Sequence, residues 1–208
     1  MIISQILLFS FTSPYYYNKD VHNFGNIGLP GAFHAGVSPL FTKFIDFKAY
    51  KSINIRDKIY SELDGTVLDM CCGTGYSTCK NPGSTGIDTS KQMLFFANLY
   101  NAGPTYNFGN AETYGKEKSF DFVTCMFAFH EMPSYAHRLI IENAKRVARK
   151  KVIIVDISTN YIPSKIMLAG EPYILKYLKT IDETLCDFNK TVIVENHAEM
   201  WEFNLDSI

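Results

Sequence analysis

Short apolar runs alternate with helix-like patterns from residue 66 onward, and this alternation limits the choice of fold more than any other feature. The pattern predicts strands at 67–70, 86–88, 105–108, 120–127 and 151–156. It predicts helices at 90–101, after a Ser/Thr cap, and at 133–149, with proline in the first turn. Strands that alternate with helices pair in parallel, so the sequence predicts an open α/β sheet with helices on both faces.

The C-terminal part of the chain departs from this alternation. A helical region at 163–187, interrupted near Gly170, is followed by two strand-like runs at 191–195 and 198–205. Only two residues separate these runs, and strands so close in sequence can pair only as an antiparallel hairpin. The sequence therefore predicts a mostly parallel sheet that ends in an antiparallel hairpin.

The N-terminal part has a different composition, because residues 12–42 are rich in glycine and aromatic side chains. This composition predicts a loop-rich cap without a regular layer, followed by a helix at 54–63. We therefore divide the chain into a cap or lid at 1–53 and a ligand-binding domain at 54–208. The apolar segment 1–11 is too short to span a bilayer and leaves organelle targeting open, and we expect it to pack as a helix or strand.

Charge and cysteine content narrow the classes of partner. The chain has 20 Lys and Arg residues against 21 Asp and Glu residues, and its formal net charge is −1. This balance predicts no broad basic surface, so a nucleic-acid partner has no electrostatic support. The five cysteines form neither paired CxxC units nor a Cys/His zinc pattern. We therefore expect reduced thiols, no bound metal and an intracellular, cytoplasmic location.

The stretch TVLDMCCGTGYST at 66–78 passes from an apolar run into a glycine-rich turn. Ligands of open α/β sheets bind where the first strand turns, and Gly73 and Gly75 let a ligand approach the backbone there. Thr78 stands where a dinucleotide fingerprint has its third glycine, and the Gly-Lys-Ser/Thr of a Walker loop is absent. Asp69 would repel a diphosphate and attract an ammonium group. The stretch predicts a cationic, nucleoside-bearing ligand.

Asp88 is the second acid of this predicted site and lies at the end of the next strand. A carboxylate in this place can accept hydrogen bonds from both hydroxyls of a ribose. Acids at strand ends also serve as helix caps, so Asp69 or Asp88 alone is compatible with either role.

Together these residues resemble the class I S-adenosylmethionine-dependent methyltransferases over residues 66–156. The resemblance lies in VLDMCCGTG at 67–75, TGIDTSKQML at 85–94, GNAE at 109–112 and SFDFVTCMFAFHEMP at 119–133. It implies a Rossmann-like, doubly wound, mostly parallel seven-stranded α/β sheet, and S-adenosyl-L-methionine as cofactor. The cofactor contacts that it implies are Asp69, Cys71, Gly73, Gly75, Asp88, Thr89, Met93, Asn110, Ala111, Glu112, Cys125 and Phe127.

The chain departs from the family pattern at three places. Cys71 replaces the first glycine of the loop, so we expect ordinary φ angles there. The helix after the loop has room for only a few residues before Asn81. Asn110 replaces the acid that commonly faces the adenine amino group, and its amide oxygen can still accept a hydrogen bond.

The fourth motif favours a small-molecule acceptor. It lacks both the Asn/Asp-Pro-Pro-Tyr/Phe pattern of nucleic-acid amino methyltransferases and the Pro-Cys nucleophile of enzymes that methylate the cytosine ring. The aromatic residues of the cap favour an apolar or aromatic acceptor, unless they only pack the cap onto the sheet. These residues are Tyr15, Tyr16, Tyr17, Phe24, Phe33 and Phe41. Residues 167–173 are expected to form the opposite wall.

His130, directly after the fourth strand, is the first candidate for a general base, and His22 and His34 in the cap are the others. Each of these histidines can also have a purely structural role. Glu131 is expected to face solvent or to cap the next helix. Two other functions stay open, a methyltransferase acting on a protein side chain and a non-catalytic module that binds S-adenosylmethionine. Asp69 and Thr78 disfavour an NAD-dependent enzyme.

Overall fold

The computed structural model describes Tyr16 and residues 18–205 of this chain. The strands are β1 Val67–Met70, β2 Thr85–Asp88, β3 Thr105–Phe108, β4 Phe120–Met126, β5 Ala148–Ile157, β6 Asn189–Val194 and β7 Ala198–Asn204. The helices are α1 Gly28–Lys48, α2 Ile55–Tyr60, α3 Lys91–Tyr100, α4 Ser134–Val147, α5 Lys165–Gly170 and α6 Ile174–Thr184, and short 3-10 turns are found at Val21–Asn23 and Phe129–Glu131. The segment 1–11, Tyr15 and Tyr17 lie outside the described residues.

The seven strands form one sheet in the order β3-β2-β1-β4-β5-β7-β6. The first five strands pair in parallel, whereas β7 runs antiparallel between β5 and β6. The predicted Rossmann-like, mostly parallel sheet with a terminal antiparallel hairpin is therefore confirmed. The hairpin turn at 195–197 is too short for the crossover that a parallel return would need.

The central strands are buried on both faces, as their continuous apolar runs predict. Ile153 and Ile154 of β5 point to opposite faces of the sheet. Ile154 belongs to a core with Ile140 of α4 and Trp201 of β7. Ile153 belongs to a second core on the other face, with Ile55 of α2. The sheet thus separates two apolar layers, and its strand ends are left to form a ligand site.

Capping residues explain where the helices begin. The Asn54 side chain accepts a hydrogen bond from the backbone N–H of Asp57 at the start of α2. The Ser90 hydroxyl accepts one from the N–H of Met93 at the start of α3. Pro133 occupies the cap position of α4, where its missing N–H removes no helical bond. The helices predicted at 54–63, 90–101 and 133–149 are therefore confirmed, with shorter bounds.

Residues 12–42 do not form the loop-rich cap that their composition predicts, because α1 occupies much of this segment. Its glycines permit close packing. A Cβ on Gly31 would lie 2.4 Å from the backbone carbon of Asn26, and one on Gly36 would lie 3.4 Å from the Phe96 ring in α3. The prediction is wrong because it took these small residues as turn signals, whereas they let α1 approach its neighbours.

Pro39 lies inside α1 and cannot donate the hydrogen bond that a helix normally sends to the carbonyl of Ala35. The hydroxyl of Ser38 donates to that same carbonyl over 3.3 Å. The side chain thus replaces the missing backbone donor, and α1 continues to Lys48.

Candidate functional site

A cavity of about 740 Å³ lies at the carboxyl ends of β1, β2, β4 and β5, the place where ligands bind in open α/β sheets. Residues that follow these strands line its floor, while α1 and the start of the C-terminal helical region line its sides. Both the predicted cofactor loop and the three candidate histidines border this one cavity.

The loop after β1 is held by two backbone donors. The N–H of Cys72 donates to the carbonyl of Ile87 at 2.9 Å, and the N–H of Gly73 donates to the Asp88 carboxylate at 2.9 Å. Cys71 has a φ of 59°, so the prediction of ordinary φ angles there is wrong. The turn needs a left-handed backbone conformation at this position whichever residue occupies it. For cysteine this conformation costs about 1–2 kcal/mol. No helix follows, because residues 71–77 form consecutive turns.

The two glycines of the loop have different roles. A Cβ on Gly73 would find no heavy atom within 4 Å, so this part of the backbone is open to the cavity and to a ligand. A Cβ on Gly75 would lie 2.4 Å from the hydroxyl oxygen of Tyr106. Gly75 therefore makes room for Tyr106 of β3, and it does not line the cavity.

Asp88 lies beside the open backbone of Gly73 and lines the cavity. Its Oδ1 accepts a hydrogen bond from the N–H of Ser90 at 2.7 Å, and its Oδ2 accepts the one from Gly73. Burial raises the pKa of Asp88 to about 6, although these two bonds act in the opposite direction. Each carboxylate oxygen keeps a further lone pair. Helix capping and acceptance of ribose hydroxyls are therefore compatible at this residue.

Asp69 does not border the cavity. Its carboxylate is buried and accepts hydrogen bonds from the hydroxyls of Thr78, at 2.7 Å, and Thr124, at 3.2 Å. Burial raises its pKa to about 7 against the effect of these bonds. The structure thus places Asp69 beneath the loop, where it ties the loop to β4.

The remaining predicted cofactor residues divide into two groups. Those that line the cavity are Cys71, Thr89, Met93, Asn110, Ala111 and Phe127. Two others, Glu112 and Cys125, are not part of the lining. The Asn110 side chain accepts from the backbone N–H of Glu112 at 2.9 Å, which shapes the loop after β3. Cys125 is buried, and the neighbouring Cys71 and this burial raise the pKa of its thiol.

His22 and Glu131 also line the cavity and are joined by a bond of 2.9 Å between Nε2 and a carboxylate oxygen. The second ring nitrogen of His22 lies 2.5 Å from a carboxylate oxygen of Glu171. Burial would lower the pKa of His22, but the charges and hydrogen bonds of the two acids raise it well above the usual value. The 3-10 turn Phe129–Glu131 turns Glu131 inward, so the expectation that it faces solvent or caps a helix is wrong.

His34 packs its ring edge-on to His22, with ring centres 4.7 Å apart. Its Nδ1 lies 3.2 Å from the carbonyl oxygen of Gly25, and because a carbonyl only accepts, this nitrogen carries the proton. Burial and the positive charge of His22 lower the pKa of His34. His34 is therefore the neutral histidine of this group.

His130 is buried, and its Nδ1 lies 2.5 Å from a carboxylate oxygen of Asp156. Burial alone would lower the pKa of His130, but the charge and hydrogen bond of Asp156 outweigh it and raise the pKa to about 9. The ring carries a proton at neutral pH. It can act as a base only above about pH 9.

We expect the pair of His130 and Asp156 to give the protein a characteristic loss of stability at alkaline pH. The folded-state pKa lies above the unfolded value of 6.5, so the stabilisation is complete below pH 6.5 and is lost as the pH rises through about 9. Urea denaturation between pH 7 and 9.5 measures this loss. His130→Gln should show a smaller decline over the same range, and equal slopes for both proteins would contradict the assignment.

Several residues of the cavity have no recognisable signal in the sequence. The Arg56 guanidinium of α2 bonds to Asp46 at 3.0 Å and to Ser77 at 2.8 Å. It also lies 4.9 Å from the Tyr76 ring centre and 5.0 Å from that of Phe127. The tertiary fold alone brings these groups together, because they come from separate elements.

The aromatic residues that were predicted to face an acceptor are only partly brought to the cavity. Tyr16, Phe24 and Phe41 line it, whereas Phe33 is more than half exposed and lies outside it. Met167, Gly170 and Glu171 from the expected opposite wall also border the cavity.

No helix among Tyr16 and residues 18–205 is both long and apolar enough to cross a bilayer. Within the same residues, no group of three or more His, Cys, Asp or Glu side chains is arranged to hold a metal ion.

Comparison with known proteins identifies the domain. Residues 67–151 match the family described as the methyltransferase domain. A demethylmenaquinone methyltransferase from Oceanobacillus iheyensis is 35% identical over 131 residues, which cover 56% of this chain and 54% of that protein. The chain thus spans about half the length of this curated relative.

Solved structures share the fold at low sequence identity. A methyltransferase from Aquifex aeolicus that depends on S-adenosylmethionine has a TM-score of 0.57 and 17% identity, over 80% of this chain and 98% of that one. The magnesium protoporphyrin IX methyltransferase of Synechocystis PCC 6803, with S-adenosylmethionine bound, has a TM-score of 0.51 and 18% identity, over 72% of this chain and 77% of that one. Together with the domain match, they confirm the predicted class I resemblance, and the domain implies S-adenosylmethionine as cofactor.

Proposed function

We propose that this chain is a class I S-adenosylmethionine-dependent methyltransferase that transfers a methyl group to a small apolar or aromatic acceptor. The proposal depends on one observation above all. The open backbone at Gly73 and the carboxylate of Asp88 lie side by side on the wall of a single large cavity. This arrangement offers a nucleoside both close backbone approach and a hydrogen-bond acceptor for its ribose.

The residues on this wall suit the proposed cofactor. Asp88 would accept from the ribose hydroxyls, while Asn110 and Ala111 would border the adenine and Met93 would pack against the nucleoside. Asp69 would act indirectly, by holding the loop that carries Gly73. The cofactor supplies an electrophilic methyl group, and the chain contributes alignment, exclusion of water and, where needed, a base.

The lining of the cavity beyond the proposed cofactor end supports an apolar or aromatic acceptor. Phe41 and Ile45 of α1, Tyr50, Tyr161 and Met167 supply mainly apolar surface there. The curated relative is named for demethylmenaquinone, and one solved structure for magnesium protoporphyrin IX, both of which are aromatic small molecules. We propose that residues 1–53 cover this end of the domain formed by 54–208.

Among the three candidate histidines, we propose His34 as the base when the acceptor must lose a proton. Its Nδ1 carries the hydrogen that bonds to Gly25, so its Nε2 has the lone pair that a proton needs. His22 and His130 both carry a proton at neutral pH and are proposed to hold the charges of their neighbouring acids in place. An intracellular, cytoplasmic location is also proposed, since all five cysteines are free thiols.

Titration calorimetry with S-adenosylmethionine tests the cofactor proposal. We expect micromolar binding by the native chain and at least tenfold weaker binding by Asp88→Ala, because hydrogen bonds to a charged group contribute about 1.5–3 kcal/mol each. Asp64→Ala, which removes an exposed acid from a loop, should bind like the native chain. A folded native chain that fails to bind would refute the proposal.

Transfer of labelled methyl groups then separates the remaining functions. Label in small molecules extracted from cells would support the proposed activity, whereas label found only in polypeptides would indicate a methyltransferase acting on protein side chains. Cofactor binding without any transfer to either class would indicate a non-catalytic binding module.

A further inference from the structure

We propose that Glu171 recognises the methyl acceptor, and that the acceptor therefore carries an O–H or N–H group. This inference rests on the proposed function and specifies its substrate. The Glu171 side chain is almost completely buried, yet it is part of the cavity lining. The sequence placed Glu171 only within the wall expected at 167–173 and gave it no role of its own.

One oxygen of the Glu171 carboxylate has no partner. Oε1 is bonded to His22, whereas Oε2 is buried and has no hydrogen bond to any of the described residues. A buried acceptor without a donor costs about 1–3 kcal/mol. A ligand that donates a hydrogen bond to Oε2 removes this cost. The unpaired oxygen therefore favours ligands that carry an O–H or N–H group.

Neighbouring residues hold the carboxylate in a fixed position. The N–H of Glu171 donates to the carbonyl of Met167 at 2.8 Å, at the end of α5. The adjacent Gly170 allows the turn Val21–Asn23 to come close, since a Cβ there would lie 3.0 Å from the Asn23 amide nitrogen. His22, itself held by Glu131, fixes Oε1 from the other side. The unpaired oxygen is thus positioned before any ligand arrives.

The charges of the cluster favour a donor. His22 lies between two acids, Glu131 and Glu171, and both of its ring nitrogens face carboxylate oxygens. Hydroxyl and amino groups fit this environment because they can donate a hydrogen bond to the carboxylate. Ethers and ketones only accept hydrogen bonds, so they would place an oxygen against the carboxylate oxygen with no hydrogen between them. Sites built to bond such a group discriminate strongly against analogues that lack it.

Matched bicyclic probes test the inference on the native chain. Binding of 1-naphthol, 1-naphthylamine and naphthalene is measured by probe fluorescence in the presence of saturating S-adenosylhomocysteine. We expect at least one of the two donor probes to bind tenfold or more tightly than naphthalene. The O–H and N–H probes differ only in the donor, so their order identifies which group the acceptor carries. Equal affinities for all three probes would overturn the inference.

Glu171→Gln tests whether the preference comes from this side chain. Because the amide oxygen accepts from His22 in place of Oε1, the amide NH₂ takes the place of Oε2. In this variant, the affinities for 1-naphthol and 1-naphthylamine should differ from the affinity for naphthalene by no more than about twofold. The affinity for S-adenosylhomocysteine should stay unchanged. Glu142→Gln, which alters an exposed acid on α4, should keep the preference. A Glu171→Gln protein that keeps it would overturn the assignment.

The same experiment separates failure of this inference from failure of the proposed function. A native chain that does not bind S-adenosylhomocysteine would refute the proposed function, and the inference with it. Binding of S-adenosylhomocysteine without a donor preference would refute the inference alone. Thermal melting of each variant shows whether it is folded, and the comparison of probes on the native chain needs no variant.

Discussion

Replacing Asp156 by alanine is expected to lower the free energy of unfolding by about 3–5 kcal/mol, because it leaves a buried charge and several buried donors unpaired. The Asp156 carboxylate is completely buried at the end of β5. It accepts hydrogen bonds from the backbone N–H groups of Phe129, at 2.8 Å, and Ile157, at 2.7 Å, and from both the N–H and the ring of His130. One side chain thus fixes the 3-10 turn Phe129–Glu131 on the floor of the cavity.

Urea denaturation followed by circular dichroism measures this loss. Asp187→Ala removes an exposed acid paired with Lys145, and it should change the free energy of unfolding by less than about 1 kcal/mol. The double variant with His130→Ala should be less destabilised than the sum of the two single variants, since it no longer buries an unpaired imidazolium. A loss below about 1 kcal/mol for Asp156→Ala would show that this carboxylate does not hold the turn.

Most of the sheet could be predicted because its signals are local. Each parallel strand is a short apolar run bounded by turn residues, and β5 is apolar on both faces because both faces are covered. The three-residue gap before β7 permits only an antiparallel pairing. Caps such as Asn54 and Ser90 likewise act within a few residues of their own position.

The long helix α1 could not be predicted because glycine and proline are also the residues that mark turns. Gly31 resembles a turn residue until the backbone of Asn26 is seen to leave no room for a Cβ, and Gly36 until the Phe96 ring of α3 is seen to pack close to it. Pro39 ordinarily ends a helix, and only the hydroxyl of Ser38 supplies the bond that it omits. A composition rich in glycine and proline thus indicated a loop where tertiary packing favours a helix.

The candidate site also contains some residues that local sequence signals predict and others that they do not. The motifs predicted that Gly73 and Asp88 contact the ligand, and both line the cavity, because a strand end and its turn are adjacent in sequence. They placed Asp69 on the ligand as well, although the hydroxyls of Thr78 and Thr124 bury it beneath the loop. Glu171 was expected only as part of a wall, and its own role could not be predicted because that role depends on His22, which is distant in the chain. Only the folded structure shows which oxygen of a carboxylate remains unpaired.

Trp201→Ala is expected to cost about 3–5 kcal/mol, the range for removing a large buried aromatic side chain from a well-packed core. Trp201 of β7 is 1% exposed and lies opposite Ile154 of β5 and Lys190 of β6. Its indole belongs to the core that contains Ile140 of α4. The cavity left behind cannot collapse easily, because these elements are fixed by the hydrogen bonds of the sheet.

Urea denaturation of Trp201→Ala must be followed by circular dichroism, since Trp201 is the chain's only tryptophan. Leu175→Ala provides the control, because this residue of α6 is more than half exposed and should change stability by no more than about 0.5 kcal/mol. Trp201→Phe leaves a smaller void, so its loss of stability should lie between those of Trp201→Ala and Leu175→Ala. If Trp201→Ala lost no more stability than Leu175→Ala, the terminal hairpin would not contribute to the core, and β5 would need another explanation for its apolar face.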